Sequence, residues 1–147
     1  PPNEFAGNYV DQLFTNCLNP SFHPYFEEIS HLRVSAHLYI DREGIITQYV
    51  PLNRRAWHAG ESSFDNRTCC NDFSIGIELQ GADHIPYTEI QYSRLGSLTR
   101  QLQSFFPLIT LDRIVGHSDI SPGRKTDPGG SFDWKRYLTL LQGDDAF

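Results

Sequence analysis

The sequence predicts an α/β fold, a single domain in which helices pack on a central β-sheet. Three observations carry this. Helical and strand periodicities are interspersed along the chain instead of falling into separate blocks, which favours helices layered on a sheet. A length of 147 residues suits one domain with a real core. No internal repeat and no Gly- or Ser-rich linker divides it.

In chain order, Tyr9, Val10, Leu13 and Phe14 recur at helical spacing and predict a short helix over residues 9–16. Asn19-Pro20-Ser21 ends it, because a residue before proline avoids the α region. His23-Pro24-Tyr25-Phe26 reads as a loop or short helical turn. From Leu32 the period becomes two. Leu32, Val34, Ala36, Leu38 and Ile40 alternate with Arg33, Ser35, His37 and Tyr39, the pattern of a half-buried strand. Asp41-Arg42-Glu43-Gly44 turns the chain, and residues 45–50 return as the second arm of a hairpin.

Residues 73–79 form another strand, with Phe73, Ile75, Ile77 and Leu79 on one face and Ser74, Gly76 and Glu78 on the other. Thr88 and Gln91 have capping-box spacing, and Leu95, Leu98, Leu102 and Phe105 continue a helix that Pro107 closes. Residues 113–116 are expected as a short strand delivering His117 to a loop. Ser131 is expected to cap a last helix with Trp134, Tyr137, Leu138 and Leu141 as its buried stripe.

Composition excludes several classes. Hydrophobic residues make up 39% and aromatics 13%, which describes a globular chain and not a disordered one. A formal charge of −6 and a pI near 5.4 argue against a nucleic-acid partner, which needs a basic face. No apolar run approaches the roughly 20 residues of a membrane span, so no membrane partner is expected. Three cysteines, Cys17, Cys69 and Cys70, lack CxxC spacing and fit a reducing compartment better than a disulfide framework. The chain opens on Pro1-Pro2 and contains no methionine, so an N-terminal segment is expected to precede it.

The chemistry concentrates between Gly116 and Gly130. His117, Lys125 and Asp127 bring an imidazole, an ammonium and a carboxylate into one turn-rich loop: two plausible zinc ligands and a cation that could steady negative charge. Ten extended residues would span about 33 Å, so joint ligation needs the loop to double back. Pro122-Gly123 offers that reversal, and Pro128-Gly129-Gly130 turns the chain again. Among the other histidines, His31 and His37 would stand about 20 Å apart on one strand and cannot share a metal. His37 reads as a hydrogen-bonded sheet residue, and His23 and His84 as surface groups. Glu78 lies well inside a strand beside Gly76, whose missing side chain leaves room for a ligand or a neighbouring backbone; the alternative is a solvated sheet-surface glutamate. Trp57-His58-Ala59-Gly60 could form an apolar shelf for a sugar or peptide, or plain core. Arg54 and Arg55 before it could meet a carboxylate or simply be solvated.

Taken together, Val34-Ser35-Ala36-His37, Arg55-Ala56-Trp57-His58-Ala59-Gly60, the run from Cys70 through Glu78 to Leu79, and the loop from Gly116-His117 to Lys125-Thr126-Asp127-Pro128-Gly129 resemble the zinc-dependent N-acetylmuramoyl-L-alanine amidases of bacterial cell-wall recycling. The likeness covers essentially the whole chain, including His23-Pro24-Tyr25-Phe26 and Phe132-Asp133-Trp134. The resemblance implies a mixed sheet flanked by helices, shared with peptidoglycan recognition proteins and phage amidases. It implies that His117 and Asp127 ligate Zn2+, that Glu78 activates the water and that Lys125 assists at the oxyanion. Trp57, His58 and Arg33 are then the expected substrate-binding residues. The implied substrate is a muropeptide, cut between 1,6-anhydro-N-acetylmuramic acid and L-alanine by a cytoplasmic monomer, with lowered β-lactamase induction as the consequence.

Two departures from the family pattern stand out. Its first zinc histidine lies in a strand ending just before the position of Pro1, so the third ligand is expected upstream of Pro1 and the amidase domain over 1–147 is expected to lack its first strand. Related amidases place a tyrosine just before the hairpin histidine, where this chain has Ala36; in the recycling branch a glutamate on another strand takes that part, and Glu78 fits it. A peptidoglycan-fragment-binding module without catalysis, and a periplasmic amidase acting on intact wall, are the competing readings.

Overall fold

Leu38, Tyr39 and Ile40 are all buried, and they form the central strand of the sheet. The structure is a computed structural model describing residues 1 and 3–143; position 2 and positions 144–147 of the expected domain lie outside the described residues. Its strands are β1 (Leu38–Ile40), β2 (Ile46–Gln48), β3 (Ser63–Phe64), β4 (Arg67–Thr68) and β5 (Ile77–Leu79). Its helices are α1 (Tyr9–Phe14), α2 (Pro24–Ile29), α3 (Glu89–Phe105), α4 (His117–Ile120) and α5 (Trp134–Gln142).

The sheet order is β2-β1-β5, and it is mixed as expected. β1 runs antiparallel to β2, with Leu38 opposite Gln48 and Ile40 opposite Ile46. It runs parallel to β5, with Tyr39 opposite Glu78. β3 and β4 form a separate small hairpin whose turn residues Asp65 and Asn66 both take positive φ, as a tight reversal between twisted strands requires.

Several elements differ from the sequence-based expectation. The period-two run from Leu32 joins the ladder only at Leu38; Ser35 and His37 instead donate their N–H groups to the carbonyls of Trp57 and Gly76, across irregular neighbours. The strand expected over 73–79 is laddered only from Ile77, because a 3-10 turn over Cys70–Asp72 leads into it. Residues 113–116 form no ladder among the described residues; a 3-10 turn over Leu111–Arg113 precedes extended chain at Ile114 and Gly116. Asp133, and not Ser131, caps α5, its carboxylate accepting from Arg136 N–H at 2.9 Å. His23 does more than face solvent: its Nδ1 accepts from Tyr25 N–H at 3.1 Å and caps α2.

Long α3 is the element the sequence specifies best. Thr88 and Gln91 form the full capping box, and Gln91 is completely buried. Its amide donates to the Gln80 carbonyl at 2.9 Å, tying the helix start to the sheet. Phe132 packs among Tyr87, Tyr92, Trp134 and Tyr137 at 4.9–5.7 Å between ring centroids, so the loop after residue 127 is anchored in the core. Helices α3 and α5 meet closely at Gly96, where an added Cβ would stand 3.2 Å from Leu140 Cβ. Thr99 and Tyr137 share a buried hydrogen bond of 2.7 Å beside that contact.

Candidate active site

The loop from residue 116 doubles back as its prolines and glycines predict. Gly123 and Gly129 take φ of +78° and +82°, values that favour glycine. Gly129 also passes so close to Asp83 that a Cβ would meet its backbone at 2.4 Å. The peptide bond between Asp127 and Pro128 is cis. Ser118 N–H donates to the Asp127 carbonyl at 3.0 Å, and Tyr87 donates its hydroxyl proton to the Pro128 carbonyl at 3.0 Å. His117 opens α4, a single turn held by the Asp119 carboxylate, which accepts from Gly116 N–H at 2.7 Å.

The result brings His117 Nδ1 to 3.1 Å from Asp127 Oδ2. Nε2 of the same ring lies 3.0 Å from the Ala59 carbonyl, which only accepts, and 3.3 Å from Arg124 Nη2, which only donates. Asp127 also only accepts, so without a cation Nδ1 bears a proton toward it, and the ring is doubly protonated when Nε2–H also meets Ala59; with a cation between them Nδ1 offers its lone pair and Nε2–H is left to Ala59. The first state is an imidazolium–carboxylate pair. The hydrogen bond to Asp127 raises the His117 pKa above the ordinary histidine value. Burial would raise Asp127, but its bond and attraction to His117 prevail and hold it below the usual carboxylate range.

The second state fits zinc. Two donors at about 2.0–2.2 Å from one tetrahedral ion stand roughly 3.3 Å apart, close to the separation found here. A ligating histidine that donates its other N–H to a backbone carbonyl is the usual supporting arrangement. Among the described residues no third His, Cys, Asp or Glu joins this pair.

Glu78, His58, His117 and Asp127 all line one cleft of about 840 Å³. Glu78 reaches solvent through that cleft while protein crowds its remaining sides. That burial, followed by repulsion from Asp127, pushes its carboxyl up to about 7, against the pull of His117 and Lys125. Lys125 itself is exposed and does not line the cleft. Its charge nonetheless acts on Glu78, His117 and Asp127 alike.

The remaining expected residues are placed unevenly. His58 is in the cleft: its Nε2 lies 2.9 Å from Ser74 Oγ, and burial lowers its pKa to about 4, the neighbouring His37 and His117 adding to that. Its imidazole fills the space beside Gly76, so the glycine makes room for this ring. His37 is buried and fully bonded, Nε2 to the Arg54 carbonyl and Nδ1 to Gly76 N–H, as its sheet position suggested. Trp57 is 54% exposed with the Arg55 guanidinium stacked on it at 4.2 Å, and is neither core nor cleft wall. Arg33 is exposed and also stands outside the cleft lining.

Sequence reasoning passed over Asn71, whose carboxamide oxygen accepts from both His58 and Ala59 N–H. It also passed over Arg67, which lines the cleft stacked 4.1 Å over Phe73. Asn71 has no local sequence signal, because the N–H groups it holds lie 12 and 13 residues away.

Residues 8–130 match the family described as N-acetylmuramoyl-L-alanine amidase. The chain belongs to this family. It is 58% identical over 142 residues to the 1,6-anhydro-N-acetylmuramyl-L-alanine amidase AmpD of Haemophilus influenzae, covering 97% of this chain and 77% of that protein. The crystal structure of a selenomethionine AmpD derivative superposes with a TM-score of 0.93 at 53% identity, covering 96% of this chain and 78% of that one. The Escherichia coli amidase AmiD, in complex with its substrate anhydro-N-acetylmuramic acid-L-Ala-D-gamma-Glu-L-Lys, aligns with a TM-score of 0.67 at 30% identity over 81% of this chain and 52% of that one. The amidase family comprises metal-dependent enzymes.

Proposed function

We propose that this amidase hydrolyses the amide between the lactyl group of 1,6-anhydro-N-acetylmuramic acid and L-alanine of a muropeptide, in cell-wall recycling. The observation that carries the reading is the convergence of His117 and Asp127, 3.1 Å apart, with Glu78 in one cleft. High identity to AmpD over nearly the whole chain supports the substrate.

His117 through Nδ1 and Asp127 through Oδ2 would hold zinc, which when bound supplies Lewis acidity and brings the pKa of water to roughly 7. With Nδ1 given to the metal, Ala59 would accept the remaining Nε2–H of His117 and hold the ring in place. Glu78, with its pKa moved into the neutral range, takes the proton from the attacking water and returns it to the departing L-alanine amine. Lys125 stands outside the cleft lining, but its charge is felt at Glu78, His117 and Asp127 and would steady negative charge building on the carbonyl oxygen. His58 lines the cleft and would meet substrate there, while Trp57 and Arg33, exposed outside it, would meet only parts of the muropeptide that extend beyond. The free thiols Cys17, Cys69 and Cys70 support a reducing, cytoplasmic setting. We take the acting species to be a monomer.

Incubating the zinc-supplemented protein with an anhydromuropeptide and, separately, with intact sacculi tests this. Release of free stem peptide from the fragment alone, read by mass spectrometry, is the expected outcome. Binding of the fragment without cleavage would make the domain a recognition module instead, and preferential release from sacculi would move its action to the wall.

A further inference from the structure

Ala59 offers its carbonyl to more than one donor. The Nε2–H of His117 reaches it at 3.0 Å, and Nη2 of Arg124 reaches it at 2.6 Å, the two nitrogens standing 3.3 Å apart. Arg124 does not stop there. The two Nη2 hydrogens are shared among Ala59, Ser121 Oγ at 2.9 Å and the Glu61 carbonyl at 3.0 Å, and Nε donates to the Glu61 carbonyl at 3.2 Å. Ser121 in turn donates to Glu61 at 2.5 Å. Gly60, with φ of +59°, lies under the guanidinium, and a Cβ there would stand 2.9 Å from Nη2. A planar fork of donors thus closes over the backbone of residues 59–61 from the loop that carries His117.

We propose that Arg124 is the positioning residue of this site: it fixes the Ala59 carbonyl that accepts from His117 Nε2–H, and the ring so oriented aims Nδ1 at Asp127. The chemistry favours arginine for this task. The acceptors are carbonyl and hydroxyl oxygens spread over three residues, and a rigid fork meets them together where a flexible ammonium could satisfy only some. Its metal arm rests on the reading of His117 and Asp127 as ligands, while its geometric arm does not. Without the guanidinium, Ala59 and Glu61 lose a shared donor and the 117–127 loop is no longer fastened to the 59–61 segment. The imidazole then samples other ring orientations.

Two readouts on Arg124→Ala test this. In metal-free protein at acidic pH, where both ring nitrogens bear protons, 15N-edited spectra should show the wild-type His117 Nε2–H protected from exchange by Ala59 and that of the variant lost to exchange. Zinc affinity, measured by competition with a chromophoric chelator, should fall roughly 10- to 100-fold, the usual effect of losing a residue that supports a metal ligand. Arg124→Lys should recover part of both, and it serves alone if the alanine variant does not fold. Arg136→Ala, which breaks the remote ion pair with Glu89, controls for general loss of stability and should move neither readout. An unchanged, exchange-protected His117 Nε2–H resonance in Arg124→Ala, or in Arg124→Lys with the alanine variant unfolded, would overturn the proposal. Should neither wild type nor variant bind zinc, the ligand reading fails while the Nε2–H result still decides the role of Arg124.

Discussion

The imidazole of His58 occupies the volume that a side chain at Gly76 would need, with Cγ only 2.4 Å from the place of a Cβ. Two facing segments therefore depend on one missing methyl: the cleft wall at 58 and the approach to β5. Gly76 leads straight into Ile77 and Glu78, so displacing His58 would also shift the carboxylate. Gly76→Ala should destabilise the fold by about 1–3 kcal/mol, the usual range for overpacking. Urea denaturation measures it, and a variant as stable as wild type would mean that the ring can move aside freely.

Glu78 gives a pH signature. Its folded pKa is raised from 4.5 to about 7, so the folded chain keeps a proton over a window where the unfolded chain has released it. Stability from this group is fully present below 4.5 and declines as pH rises toward about 7. Glu78→Gln cannot ionise and should not show the decline. With both proteins stripped of metal, the variant should gain in urea midpoint relative to wild type across that window and hold a constant advantage above it. A difference that is flat throughout would place the carboxyl in ordinary solvent. The same variant should lose about 10²–10⁴ in turnover, the usual contribution of a general base.

How much of this the sequence revealed depends on the range of the interactions. Helix α3 was legible because its signals are local: a capping box at Thr88 and Gln91, then leucines at steps of three and four. The approach of His117 to Asp127 was legible for a related reason, since the proline and glycine reversals lie inside the ten residues that join them. The strands came out too long, because extended chain alternates its side chains whether or not a neighbour completes a ladder. Ser35 and His37 show this: they are extended and bonded, but to Trp57 and Gly76 in irregular segments. Arg124 and Asn71 were illegible, their partners in the 58–61 segment lying 12 to 65 residues away. The same distance hid the true use of Gly76, which yields to a ring 18 positions earlier in the sequence.

Phe132 anchors the far end of the loop that carries His117 and Asp127, five residues beyond Asp127. It is buried at 7% exposure among four aromatic rings. Phe132→Ala should cost about 3–5 kcal/mol, as expected for removing a buried aromatic ring. Phe132→Leu refills most of the cavity and should cost less. Thermal or urea unfolding gives both numbers. A small penalty for alanine would mean that the surrounding rings collapse into the gap.

Zinc and protons should compete for the same place. Binding requires His117 Nδ1 to lose the proton it shares with Asp127, and the raised pKa of the histidine makes that proton harder to remove. Zinc affinity should therefore climb as pH rises through the His117 pKa and level off above it. Calorimetry in buffers of different ionisation enthalpy should register proton release below that point and none attributable to His117 above it. Asp127→Asn removes the charge that holds the proton, so the His117 pKa should drop toward its ordinary value even as zinc binding is lost. Proton release on zinc binding that does not vary with pH would show that His117 is not the group displaced. Retained affinity in Asp127→Asn would take that carboxylate out of the ligand set.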